Sequence, residues 1–195
     1  MEPHFVMQPL HGWLVPEEYF AAFGKPVRKQ LCAALSCRDS LTRYLEQSGQ
    51  KPVRIRVQKQ AYHTIDDSDN FMWAAQQTLP IGTTILSRSA WLLQQEREQL
   101  FAYSEVVMAQ LTEAARNALE LGDEPLGSLF LERDGLVQRS DVQIAECRID
   151  HPALPFTTEG QQTYWCRRSL FQVNQKIRAR ILEIFLPECC HGPLD

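Results

Sequence analysis

No run of apolar residues in this sequence is long enough to cross a bilayer. The stretch Met1 to Leu10 lacks the charged start and apolar core of a signal peptide. A basic excess is missing too: 20 Lys and Arg stand against 24 Asp and Glu, for a net charge of -4 and a pI near 5.8. That balance argues against a general nucleic-acid binder, which carries a basic surface. Cysteine is sparse, with six in 195 residues and none in a Cys-x-x-Cys pair, so neither a disulfide scaffold nor a zinc ribbon is indicated. Cys189-Cys190-His191 sits in a Pro- and Gly-bearing tail, and adjacent cysteines are poor joint ligands for one zinc. No internal repeat, low-complexity tract or linker divides the chain. These absences point to a single domain over residues 1–195, cytoplasmic, with reduced thiols, no metal, no nucleic-acid partner and no membrane span. A monomer or weak dimer is expected.

The composition that remains, 44% hydrophobic and 23% charged, is that of a globular protein with a sizeable core. Pro16-Glu17-Glu18 suits a helix start, with Tyr19, Phe20 and Phe23 on its apolar side and Gly24-Lys25-Pro26 as its end. A second helical stretch runs from about Val27 to Leu35. Asp39 or Ser40 caps a third, which contains Leu41, Tyr44 and Leu45 and ends at Gly49. Val53 to His63 changes to period two, with Val53, Ile55, Val57 and Ala61 on one face and Arg54, Arg56, Gln58 and Gln60 on the other. Asp66 to Asn70 is a turn-rich loop without the glycine and distal glutamate of a calcium loop. Phe71 to Leu79 reads as a returning strand closed by Pro80 and Gly82. Ser87 to Leu121 reads as a helical insert, with Trp91, Leu92, Leu100, Phe101, Val106, Val107, Leu111 and Leu119 as its stripe. Strand character resumes from Leu136 to Arg148. A loop at 150–160 then leads to the last hairpin.

That hairpin organises the chain. Leu170 to Val173 is one arm, Asn174-Gln175 the turn, and Lys176 to Leu186 the return. Alternation puts Ile177, Ala179, Ile181 and Phe185 on one face, with Glu183 among them, and Arg178 and Arg180 on the other. A buried carboxylate needs a partner or a task. A bulge turning Glu183 outward and a structural ion pair are the competing readings. Lys59 shows the same conflict on the first long strand: parity places it on the apolar face, unless the strand bulges or the ammonium reaches out along its stem. Helices, turns and strands in this order give an α+β fold with a mainly antiparallel sheet.

Several segments together resemble the bacterial chorismate lyases, also called chorismate pyruvate-lyases or 4-hydroxybenzoate synthases. Trp165-Cys166-Arg167-Arg168-Ser169, a hairpin, and Leu182-Glu183-Ile184-Phe185-Leu186-Pro187 resemble the C-terminal signature. Pro125-Leu126-Gly127-Ser128-Leu129-Phe130 looks like the family's Pro-Leu-Gly loop. Asp39-Ser40-Leu41-Thr42 with Leu45 to Gly49, and Met72 to Pro80, are similar to the segment before its first strand and to its second strand. The resemblance covers about 35 to 187, with gaps.

It implies a six-stranded antiparallel sheet with helices over a closed pocket, and cleavage of chorismate to 4-hydroxybenzoate and pyruvate without a metal or organic cofactor. It implies that Glu183 lies near the ring hydroxyl, that the backbone N–H of Leu126 or Gly127 holds the ring carboxylate, and that Leu41 lies beside the ring. The family's carboxylate-binding arginine falls on Lys59, which offers a point charge and not a flat fork. Arg168 is assigned to orient Glu183, and Arg167 to a structural pair outside the pocket. Cys166 stands where the family usually has glycine, and the stretch from Pro80 to Pro125 is longer than usual. The ligand expected is an aromatic or cyclohexadienyl carboxylate. Two other readings compete: a binding protein of the same fold without chemistry, motivated by the missing arginine, and a partner protein docking through 91–121.

Overall fold

The computed structural model describes residues 6–26, 28–122, 125–133, 138–150, 163–187 and 189. The turn at Gly135, the loop expected at 150–160 beyond residue 150, and Cys190-His191 lie outside them. The elements in chain order are β1 (Val6–Pro9), α1 (Pro16–Phe23), α2 (Lys29–Ser36), α3 (Leu41–Gly49), β2 (Val53–Thr64), β3 (Thr84–Gln94), β4 (Arg97–Val107), α4 (Glu113–Leu121), α5 (Leu126–Arg133), β5 (Gln138–Asp150), β6 (Thr163–Val173) and β7 (Lys176–Phe185). The strands form one antiparallel sheet in the order β1-β5-β6-β7-β4-β3-β2.

The α+β expectation holds, with seven strands in place of six. The additional strand is β1, four residues ending in Pro9 that pair with Cys147 to Asp150 at the edge of the sheet. A strand this short, closed by proline, leaves no period to read.

The larger correction concerns the stretch read as a helical insert at 87–121. Most of it is the β3–β4 hairpin; after a short 3-10 turn at Met108–Gln110, only 113–121 is α-helical. Both faces of β3 and β4 are covered, so nearly every residue is buried and period two disappears from the sequence. The turn, Gln95-Glu96, takes positive φ at both residues without glycine or asparagine, so the usual hairpin signal is missing. The stripe offered as a docking surface lies mostly in the core: Trp91, Leu92, Leu100, Phe101, Val106 and Val107 are buried.

Residues 71–79 are not a strand either. They belong to a loop with short 3-10 turns at Ser68–Asn70 and Ala75–Gln77. Asn70 clamps this loop, donating to the Leu79 carbonyl and accepting from the Leu79 N–H, both at 3.0 Å. The C-terminal hairpin is as read, with Asn174 and Gln175 at positive φ in its turn. Ser40 is the cap of α3, accepting from the Arg43 N–H.

Cross-strand partners share a face, and the register therefore sorts the sheet. One face carries Arg88, Ser104, Ile181 and Ser169 in a row, with Ala90, Ala102, Glu183 and Arg167 in the next. The other carries Glu105, Arg180 and Leu170. On that second face, opposite Glu183 as alternation indicates, Arg180 is buried. It donates to Glu105, to Asn70 Oδ1 at 2.6 Å, to the Asp69 carbonyl at 2.9 Å and to the Gln77 carbonyl at 3.3 Å, and its guanidinium lies 4.8 Å from the Trp73 ring centre. Arg180 thus fastens the 68–77 loop to the back of the sheet. Arg180→Met is expected to leave the buried Glu105 without a guanidinium partner, at a cost of about 3–5 kcal/mol. Urea unfolding measures this, and amide exchange across 68–80 should accelerate in the same variant.

Candidate active site

A cavity lies on the first face, between the sheet and the helices. Its lining includes Leu41 and Thr42 from α3, Pro125, Leu126 and Gly127 at the start of α5, Arg88 on β3, Arg139 on β5 and Glu183 on β7. Small side chains on the sheet make the floor: Ala90, Ala102 and Ser104. Larger residues there would fill the space against the helices.

Leu126 and Gly127 sit in the first turn of α5. First-turn N–H groups have no intrahelical acceptor, and they lie at the positive end of the helix dipole. Both features suit a carboxylate. The close packing of this turn on the start of α3 favours glycine: a Cβ on Gly127 would stand 3.0 Å from Ser40 Oγ.

Glu183 is inward, as alternation indicates, and 4% exposed. Its Oε2 accepts from Arg167 Nε at 2.6 Å and from Arg139 Nη1 at 3.3 Å, while Oε1 lies 3.5 Å from Arg139 Nη1. Arg167 is itself held by the carbonyls of Ala34 and Cys37, at 2.6 and 3.0 Å, from the end of α2. Burial pushes the Glu183 pKa up, but the charges of Arg167 and Arg139 and their hydrogen bonds outweigh it and hold the carboxyl below its ordinary value. A group with a depressed folded pKa adds stability above its unfolded value, about 4.3, and loses it as pH falls through the folded value. The melting difference between wild type and Glu183→Gln should therefore shrink as the pH is lowered below 4. A difference constant from neutral to acid pH would contradict the pairing.

Two of the site residues expected from the sequence are elsewhere. Lys59 is exposed, and a bulge between Val57 and Lys59 moves it to the opposite face, across from Ser89. Parity counted through an unseen bulge inverts every later position. Lys59→Ala is expected to leave ligand affinity within about twofold of wild type, as for other exposed charges; titration with an aromatic acid checks this. Arg168 also lies on the far face, opposite Leu182 and Gln143. It donates to Gln143 Oε1 at 2.8 Å and to the Met72 carbonyl at 2.7 Å, and it stacks on Trp13 at 4.5 Å. Burial lowers its pKa to about 10. The residue that orients Glu183 is Arg167, which the sequence reading had set outside the pocket.

An arginine does line the cavity, but it is Arg88, which is 3% exposed, with Nη2 donating to the Gly122 carbonyl at 2.7 Å. Leu86, Arg88, Ala90 and Leu92 share one face of β3, but the residues between them are mostly buried as well, so no alternation marks them. Reading that stretch as helix concealed Arg88. Cys166, the departure from glycine, is buried opposite Ile184 on the far face and does not reach the cavity.

Among the described residues one group of metal-binding types converges, His63, Asp69 and Glu105, with ligand atoms within 4.8 Å of one another. Glu105 is already engaged by Arg180 and by Tyr103 Oη at 2.8 Å. A guanidinium in that position repels a cation, so the donor set suits an ion-pair network better than a metal.

The sequence matches the model of the chorismate lyase family over residues 27–191. A probable chorismate pyruvate-lyase of Pseudomonas putida is 35% identical over 100 residues, so the match spans about half of each protein, 51% of this chain and 52% of that one. A probable chorismate pyruvate-lyase of Psychromonas ingrahamii is 27% identical over 155 residues, covering 77% of this chain and 78% of the other. Among solved structures, the effector domain of PhnF from Mycobacterium smegmatis superimposes with a TM-score of 0.54 at 11% identity, covering 77% of this chain and 90% of that one. A GntR-family transcriptional regulator from Bacillus cereus gives 0.53 at 12% identity, over 73% and 96%. Identities this low establish likeness of fold alone. The family match runs through α3, the start of α5 and the C-terminal hairpin, which all contribute to the cavity lining, and the chain belongs to the chorismate lyase family.

Proposed function

We propose that this protein eliminates pyruvate from chorismate to give 4-hydroxybenzoate. The observation that carries the reading is the cavity itself, with a buried arginine and helix-terminal amides as a carboxylate site and an ionised glutamate facing the same space. Arg88 and Glu183 project from strands separated only by β4 and sit two residues apart in register, so their backbones are about 12 Å apart. Their side chains can then address opposite ends of a para-substituted ring.

In this reading the ring carboxylate rests on Arg88 and on the N–H of Leu126 or Gly127, and the ring hydroxyl donates to Glu183. The ring carbon bearing the hydroxyl gives up its proton, and the ether C–O bond at the adjacent carbon breaks. A double bond forms between these two carbons and completes the aromatic ring. The departing enolpyruvate gains the proton on its methylene carbon and leaves as pyruvate. Aromatisation drives this redox-neutral step, so the protein's task is mainly orientation away from water. Glu183 between two guanidiniums is a weak base, and it serves better as an acceptor fixing the hydroxyl than as the proton carrier. The cavity encloses about 50 Å³, enough for a few waters and too little for a substituted ring. Ligand entry therefore requires the cavity to widen around the ring.

Incubation of the purified protein with chorismate tests the proposal: pyruvate and 4-hydroxybenzoate should appear in equal amounts above the uncatalysed rate. Absence of both would overturn it. The presence of Arg88 supports catalysis over the non-catalytic binding alternative, whose motive was a lysine in place of arginine.

A further inference from the structure

Arg139 is left over once the ring has been placed. Its side chain is 3% exposed and lines the cavity at the Glu183 end. Its contacts are long: Nη1 lies 3.3 and 3.5 Å from the Glu183 oxygens and 3.2 Å from Ser169 Oγ. Its Nε is buried without a hydrogen-bond partner among the described residues. The guanidinium is kept in place by Phe171, whose ring centre is 4.8 Å away. Glu183 is already neutralised at 2.6 Å by Arg167, so among the described residues this end of the cavity holds two guanidiniums and one carboxylate. Burying an uncompensated cation is costly, and the cost is recovered if a ligand brings a second anion. Burial also depresses the Arg139 pKa, with Glu183 only partly restoring it.

We propose that Arg139 anchors a second carboxylate of the ligand, carried on a short ether side chain at the ring carbon next to the hydroxyl. The inference rests on the reading above, in which the hydroxyl meets Glu183. The neighbouring ring substituent is then directed toward Arg139, whose fork can grip a carboxylate bidentately. In the elimination this is the carboxylate of the departing pyruvate. Arg88 and Arg139 thus hold the two fragments that separate, and the second grip is lost when pyruvate leaves.

The test uses two stable ligands, 4-hydroxybenzoate and 4-hydroxybenzoate bearing a carboxymethoxy group at ring position 3, with affinities measured by calorimetry. Wild type should bind the dianion roughly tenfold to a hundredfold more tightly, the range of one charge-assisted contact. Arg139→Gln should abolish that preference, bringing the ratio of the two affinities close to one. Arg139→Lys should retain part of the preference. Equal affinities in wild type, a preference that survives in Arg139→Gln, or a parallel loss for both ligands would overturn the proposal. The last result would mean that Arg139 serves only to place Glu183. These measurements need no turnover, so failure to release pyruvate from chorismate counts against the elimination and not against the second anchor.

Discussion

Arg88→Gln is expected to lower kcat/KM for chorismate by about two to three orders of magnitude, the equivalent of about 3–4 kcal/mol lost from a buried charge-assisted contact. It should weaken 4-hydroxybenzoate binding to a similar degree, because the ring carboxylate is common to substrate and product. The effect is large because the site is enclosed. With the ring bound, the cavity leaves room for few waters to replace the guanidinium, and the carboxylate would rest mainly on the first-turn amides of α5. Arg88→Lys keeps the charge and loses the planar fork, so an intermediate loss is expected. Folding should survive the change to glutamine, since Arg88 stands beside the small Ala90, Ala102 and Ser104 of the cavity floor and not in a filled core. A loss of activity with an unchanged melting temperature is the signature to look for. An Arg88→Gln protein of wild-type activity would remove the basis for the carboxylate site.

Glu183→Ala carries the largest stability effect. The substitution strips the only described carboxylate partner from Arg167, which is fully buried, and from Arg139. Leaving one side of a buried ion pair unmatched costs about 3–5 kcal/mol. For a chain of this size each kcal/mol shifts the melting temperature by about 2–4 °C, so a fall on the order of 10 °C is expected in a thermal scan. Activity must therefore be compared well below both transitions, where the hydroxyl contact is still missing and turnover should stay at least about a hundredfold down. A change of melting temperature below about 2 °C would show that Arg167 and Arg139 find other partners, and the triad would not be the support claimed for it.

The hairpin that supplies Glu183 was legible because one side of its turn is clear and its period is simple: Asn174-Gln175 marks the reversal, and Glu183 interrupts an apolar series. Leu41, Leu126 and Gly127 came from motif resemblance, and the fold brings all three to the cavity. What could not be read has two physical origins. One is the doubly covered sheet. With both faces buried, β3 loses its alternation, and Arg88 looked like a polar residue at the start of a helix. The other is the bulge at Gln58, which displaces one residue from the ladder and carries Lys59 to the wrong side. Neither a covered face nor a bulge leaves a mark in hydropathy. The choice between Arg167 and Arg168 failed for a related reason: adjacent strand residues face opposite ways, and only the pairing Arg167↔Glu183 fixes which arginine meets the carboxylate.

The most direct measurement is a crystal structure of the protein with 4-hydroxybenzoate. The account predicts the ring between α3 and the sheet, its carboxylate within hydrogen-bond distance of Arg88 and the Leu126 or Gly127 N–H, and its hydroxyl on Glu183. A ligand bound in the reverse sense, seated at Lys59, or found outside this cavity would contradict it.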